Sequence, residues 1–363
     1  MIVRHAQPLL YSTTTRLSAT TLPCSASALS ANRRAAAFQT PLAPRALFSR
    51  FPVRRNLAAI FIVSSLHRAA SSSSSDSHHP TQAGRREPLN MDPHAYTALP
   101  IAAARAMAFM QSDDPIIRDP LAAKLVAGET HLMNGANVEY MSMRCLLGDE
   151  LVRERHAQAG VRQVVSLGAG MDSRAFRLNL LDTTFYEVDK QGLFDVKEPL
   201  VADVPLECAA RRLVVGTLGE MDLGAKLRAA GFDSAKPTVW LLEGLLPYIS
   251  RERMPQLARD IGALSAAGSG LWGDGFSQTS VDRGMVFHGV AFESGFDNYA
   301  ELFRDGGFDR ADVVDFTGIH LDRGKRAMRI DPRYVLTPAT TRGHGMCLMV
   351  RAYKSSKGRD SEL

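Results

Sequence analysis

A chain of 363 residues, 45% hydrophobic and 22% charged, has ample length to bury the core of one large domain or two small ones. Its formal charge of +5 and pI near 9.1 suggest a polyanionic partner, but the charge is unevenly placed. Residues 1–90 hold eleven Arg, no Lys and only Asp76 and Glu87, a balance of +9, while the remainder carries −4, so charge gives no argument for nucleic acid.

In chain order, residues 1–90 are rich in Ser, Thr, Ala and Arg and close on a run of serines at 71–75. Such a composition cannot bury enough apolar surface to offset chain entropy, so a disordered extension is expected. It fits an organellar transit peptide, which would place the protein in chloroplast or mitochondrion. It equally fits an extension upstream of a start at Met91, which would leave the protein cytoplasmic. No run approaches the roughly 20 apolar residues of a membrane span; residues 57–63 are far too short. Cys24, Cys145, Cys208 and Cys347 are widely scattered with no CxxC pair, which excludes a disulfide scaffold and argues against a metal site.

A domain is expected over 91–355, with 356–363 as a tail. Residues 101–110 read as a helix of small apolar residues, and Asp119-Pro120 opens a second with Pro in its first turn. A third covers 138–159, stopped by Gly160. Residues 163–167 form a short buried strand, followed by Gly168-Ala169-Gly170 and a helix-compatible stretch. Further strands are expected at 185–188, 212–215, 238–242 and 269–273, with a helix over 251–266 between the last two. A final apolar run, 345–353, suits a strand paired antiparallel. Short strands separated by helical stretches specify βαβ units and a parallel sheet flanked by helices.

In open sheets of this kind the ligand lies outside the carboxyl ends of the strands. The first strand ends in GAGMDS, where Ser173 stands in the third-glycine position of a dinucleotide fingerprint, a near miss. The second ends in Glu187 and Asp189, 19 and 21 residues after Gly168, where an acid accepts both hydroxyl protons of a ribose. The order strand, GxG, acid favours a nucleoside-containing cofactor over a plain turn with a solvated Asp.

VVSLGAGMDSRAFRL, FYEVDK and PTVWLLEGLLPYIS, in this order, resemble the S-adenosylmethionine-dependent methyltransferases of the leucine carboxyl methyltransferase family, over about residues 92–354. The branch most resembled is the bacterial-type set of O-methyltransferases. The resemblance implies a class I methyltransferase-like (Rossmann-type) α/β fold: a seven-stranded, mostly parallel sheet with helices on both faces and an N-terminal helical cap. It implies S-adenosyl-L-methionine as cofactor. Gly168, Ala169 and Gly170 would pass beneath its methionine part, Asp189 would bind the ribose hydroxyls with Glu187 beside it, and Arg144 would pair with its carboxylate, as suits a planar guanidinium. Glu243 and Gly244 would lie near its amino group or sugar, and Tyr248 would face the substrate.

There are departures from the family pattern. Thr217-Leu218 stands where the family has Asp-Leu beside the adenine, with Asp222 a candidate substitute for the missing carboxylate. Arg144-Cys145-Leu146 replaces the usual Arg-Thr-Arg, and Pro247 a usual Met. Arg105 is a candidate second cation for the cofactor carboxylate. His288 and His320 receive no catalytic role, and Met285, Phe287, Phe292, Phe296 and Phe303 suit core or pocket wall.

The implied reaction is methyl transfer to an oxygen, carboxylate or hydroxyl, of a small-molecule or carboxyl-group acceptor by in-line displacement. A carboxylate needs no general base; a hydroxyl does, and the sequence names no catalytic residue. Two other classes stay open. One is a catalytically silent methyltransferase-like binding module, which Thr217 would permit. The other is a nicotinamide-dependent oxidoreductase, against which stand the missing third glycine and the lack of a recognisable Tyr/Lys or His/Asp pair. No metal, nucleic-acid partner or membrane span is expected.

Overall fold

The computed structural model describes residues 89, 91–111, 113, 115, 117–133, 138–316, 319–322, 327–330, 335–336 and 347–355. The extension over 1–88 and the tail 356–363 lie outside the described residues. Asp92 caps the first helix, its side chain accepting from the His94 and Ala95 amides at 2.8 and 3.4 Å, with Pro at the first position of α1 (Pro93–Tyr96). In α2 (Ala98–Met110) the small residues Ala102, Ala103, Ala104 and Ala106 are all buried, as in a helix enclosed on every side. After α3 (Ala122–Leu125) comes the long α4 (Val138–Ala159), which ends at Gly160 with φ +65°. Asp119-Pro120 does not cap a helix. Asp119 accepts instead from Arg105 Nε at 2.9 Å, and α3 begins at Ala122.

The helix-compatible stretch after β1 (Gln163–Leu167) forms only a single 3-10 turn, Arg174–Phe176. Both Arg174 and Arg177 reach across to Asp149 of α4, which draws the segment out of helical register. Then follow β2 (Leu180–Asp189), α5 (Gln191–Val201), β3 (Cys208–Val215), α6 (Leu223–Ala229), β4 (Thr238–Leu242), α7 (Met254–Ala263) and β5 (Gly270–Gly275). Beyond them lie α8 (Gln278–Asp282), a small hairpin of β6 (Val286–Phe287) and β7 (Val290–Ala291), α9 (Tyr299–Asp305) and β8 (Arg310–Asp315). The described chain closes with a second hairpin, β9 (Ile319–Asp322) and β10 (Ala327–Ile330), then β11 (Val335–Leu336) and β12 (Leu348–Tyr353).

Seven strands form the main sheet in the order β3-β2-β1-β4-β5-β12-β8, and the two-residue β11 adds to its edge beside β8. Pairs β1/β2, β2/β3, β1/β4 and β4/β5 are parallel, whereas β12 runs antiparallel to both neighbours. Alternate side chains of the central strands feed two cores on opposite faces. Val164, Val239 and Leu241 join the core with α2 and α4; Val165, Leu167, Trp240 and Leu242 join the one with α7 and α9. The strand order reverses between β1 and β4, where a crevice opens at the carboxyl ends of the strands.

Candidate functional site

A cavity of about 380 Å³ occupies that crevice, with α1 and α2 contributing His94, Thr97 and Ile101 to its lining. Its floor is the turn after β1. Gly168 (φ +62°) and Gly170 (φ +49°) hold left-handed backbone, and a Cβ at Gly170 would sit 2.9 Å from the Ala98 Cβ. Between them the Ala169 amide donates to Val188 O at 3.1 Å, which ties the turn to β2.

Asp189, at the end of β2, locks this turn: the Gly170 amide donates to its Oδ2 and the Lys190 amide to its Oδ1, both at 2.8 Å. Burial pushes its carboxyl above the ordinary carboxylate range even though both amides favour the anion. Glu187, two residues earlier, points from the same face of β2 but under the turn, and it is not part of the cavity lining. Lys197 Nζ donates to its Oε2 at 2.7 Å, and Arg211 donates to both oxygens. Lys197 also donates to Gly170 O at 3.0 Å, so Glu187 supports the turn from below. Pairing it with Asp189 as a cofactor ligand is therefore corrected.

Thr217 and Leu218, after β3, line the same cavity, as do Glu243, Gly244 and Tyr248 after β4. Asp222 does not stand in for the carboxylate missing at 217. It caps α6, accepting from the Ala225 amide at 2.8 Å, and lies outside the lining.

On the α4 side, Arg144 Nη1 donates to Asp274 Oδ2 at 3.1 Å. Asp274, near the end of β5, also accepts from Tyr140 Oη at 2.8 Å and from the Gly244 amide at 2.6 Å. Arg144 Nε is buried and has no hydrogen-bond partner among the described residues. Below it, Arg174 donates to Asp149 at 2.7 Å, Asp172 at 2.9 Å, Glu243 at 2.7 Å and the Cys145 carbonyl at 3.0 Å. Burial raises the Glu243 carboxyl despite Arg174 and Arg144. For Asp172 burial acts the same way, but Arg174 and Lys197 overcome it and hold the carboxyl well below the ordinary range. Arg105 lines the cavity as well, yet its Nε is paired with Asp119 and its Nη2 donates to Met171 O.

Tyr248 packs its ring edge-on against His94 at 5.5 Å and Phe292 at 5.4 Å, and burial pushes its hydroxyl up to about 12. Phe287 and Phe292 are pocket wall, while Met285, Phe296 and Phe303 pack on the cores. His288 (φ +47°) meets the Phe287 ring edge-on outside the lining, and the side chain of His320 lies outside the described residues. Asp274, Tyr140 and Arg174 were not singled out from the sequence. The one available signal was an acid, Asp274, at the carboxyl end of a predicted neighbouring strand.

The order of the seven main strands, with β12 alone reversed among them, and a glycine turn, strand-end acid and arginine on one cavity, define a class I methyltransferase-like domain. A family model described as leucine carboxyl methyltransferase matches residues 98–262. The "Putative S-adenosyl-L-methionine-dependent methyltransferase" of Mycobacteroides abscessus is 43% identical over 202 residues, covering 50% of this chain and 65% of that protein. The protein of the same name from Mycolicibacterium paratuberculosis is 34% identical over 259 residues, covering 65% of this chain and 81% of the relative. A solved structure of a DUF574 family protein from Streptomyces avermitilis is similar at a TM-score of 0.42 and 16% identity, covering 70% of this chain and 96% of that one. The chain belongs to the leucine carboxyl methyltransferase family.

Proposed function

We propose that the protein transfers the methyl group of S-adenosyl-L-methionine to an oxygen of a small acceptor. Family membership supports the cofactor and the reaction type. The observation that carries the reading in this chain is Arg144 Nε, a buried, unpaired donor on the cavity wall, fit for a carboxylate.

When bound, the cofactor supplies an electrophilic methyl on a sulfonium. Arg144 would orient its carboxylate, and the free lone pairs of Asp189 would accept from the ribose hydroxyls. Glu243, which Arg174 holds in place, would serve the ammonium. Thr217 offers a neutral hydroxyl toward the base. An acceptor oxygen would take that methyl with sulfur leaving on the electron pair of its broken bond, and a hydroxyl acceptor would give up its proton to solvent. Alignment and desolvation by the walls are the protein's contribution.

Titration of the purified chain with S-adenosylmethionine in a calorimeter tests this reading, and absence of binding would sink it. Segment 1–90 is proposed as a delivery signal, to be checked by N-terminal sequencing of the endogenous protein from fractionated cells. A mature end near Met91 in an organelle fraction is the expected result.

A further inference from the structure

We infer that Glu220 and Arg253 clamp the base of the cofactor, the carboxylate accepting from the exocyclic amine of adenine and the guanidinium covering one face of its ring; this rests on the cofactor assignment above. The strand order places that base. Along the crevice the strands run β5, β4, β1, β2, β3. Arg144, paired with Asp274 of β5, stands at one end, and Asp189 closes β2 beyond the glycine turn. A ligand with its carboxylate on Arg144 and its ribose on Asp189 therefore carries its base to the end of β3.

Two segments meet there. The turn after β3 brings Thr217, Leu218 and Glu220 into the cavity lining, and Ser250 and Arg253 approach from just before α7. Glu220 is the one carboxylate that this turn contributes among the described lining residues, since Asp222 caps α6 instead. Gly219 holds φ +86°, and the Arg253 side chain lies so close over it that a Cβ there would stand 3.0 Å from Arg253 Cδ and 3.3 Å from Nη1. The guanidinium is thus laid across the turn. It lies 3.9 Å from Glu220 Oε1, and the side chains of Arg253 and Glu220 are 53% and 62% exposed. An ion pair that long and that well solvated contributes little, so neither group is committed to the other.

Adenine offers what each can use. Its amine is a donor to which a carboxylate makes a charge-assisted bond, and its π face is a platform on which a guanidinium stacks. The Thr217 hydroxyl can donate as readily as accept, so it does not tell an amine from a carbonyl, whereas an ionised Glu220 can only accept. Selectivity for adenine over hypoxanthine accordingly falls to Glu220, and grip on either purine to Arg253.

The test titrates the full chain by calorimetry at neutral pH with S-adenosylhomocysteine and with S-inosylhomocysteine, in which a ring carbonyl replaces the amine. The parent should hold the first at least about tenfold more tightly, because the carbonyl of the second faces a carboxylate. Glu220→Gln should shrink that preference to about twofold or less, since an amide can donate to the carbonyl. Arg253→Ala should weaken both ligands by the same several-fold factor with the preference retained. Arg253→Lys, which keeps the charge and loses the flat face, should match Arg253→Ala. Both side chains are more than half exposed, and unchanged melting temperatures certify that the variants are folded. Equal affinity of the parent for the two ligands, or a preference that survives Glu220→Gln, overturns the role of Glu220. Unchanged affinity in Arg253→Ala, or full recovery in Arg253→Lys, overturns that of Arg253. A parent that binds neither ligand overturns the cofactor reading instead.

Discussion

At the cofactor end of the cavity, Arg174 satisfies three carboxylates and a backbone carbonyl within 3.0 Å, and Asp189 fastens two backbone amides; at the far end, rings pack on one another, tilted or edge to face, with no polar bond between them. A buried polar network has one good arrangement, and removing a member leaves charges stranded. An apolar wall tolerates changes of shape because dispersion contacts are many, weak and non-directional. One end is built to hold a single molecule in a fixed pose, and the other to accommodate a guest.

The comparison is broken most severely by Arg174→Met, which removes the arginine partner of Asp172 and Glu243 and leaves Asp149 to Arg177 alone. It should lower the unfolding free energy in urea by about 3–5 kcal/mol. The same pairing has a pH signature. Asp172 sits below its ordinary value of 3.8 in the folded state, and Asp149 is likewise depressed, with Arg177 and Arg174 overcoming the burial that would raise it. Their stabilisation is therefore present above pH 3.8 and is lost as pH falls through the depressed values. In the Met variant, acid unfolding should begin at higher pH than in the parent, as followed by circular dichroism.

Asp189→Ala removes the proposed ribose acceptor and the lock on the glycine turn together. With each charge-assisted bond contributing about 1.5–3 kcal/mol, cofactor affinity should fall by well over tenfold, and an unchanged dissociation constant would refute the role. Gly244→Ala is subtler. At φ +68° a Cβ is strained and would sit 3.1 Å from Arg144 Nη1, so cofactor affinity should drop several-fold, about 1 kcal/mol or more, with acceptor preference retained. Phe287→Leu, on the ring wall, should cost less than about 1.5 kcal/mol of stability and leave the cofactor dissociation constant unchanged. A large loss of cofactor binding there would dissolve the distinction between the two ends.

Much of the framework was legible because periodicity and punctuation agreed. The bounds of Val138–Ala159, Gln163–Leu167 and Thr238–Leu242 coincide with the sequence expectation, each being an uninterrupted pattern with a clear stop. β8 escaped notice since Arg310 and Asp312 break its apolar pattern; they pair with each other across one residue at 2.8 Å. The stretch after Gly170 carries helix-compatible residues, and tertiary ion pairs override that local preference. In the site, glycines and strand-end acids are local marks and could be read. The partners of Arg174 lie 25 and 69 residues away in Asp149 and Glu243, a relation no linear pattern displays. Glu187 and Asp189 look equivalent by spacing, and only the positions of Lys197 and Arg211 separate a buried strut from a cavity acid.

β12 lies between β5 and β8 and bonds to both, yet it follows every other strand of the sheet in chain order. During synthesis the five parallel strands emerge first, and β8 has only the two-residue β11 to pair with and no link to the rest of the sheet until residues 348–353 are made. At about 5–20 residues per second, the nascent chain spends several seconds with β5 as a bare template for any passing strand. A chain cut short before residue 348 would leave facing edges of β5 and β8 without the strand that joins them, a gap that a strand of another copy could fill.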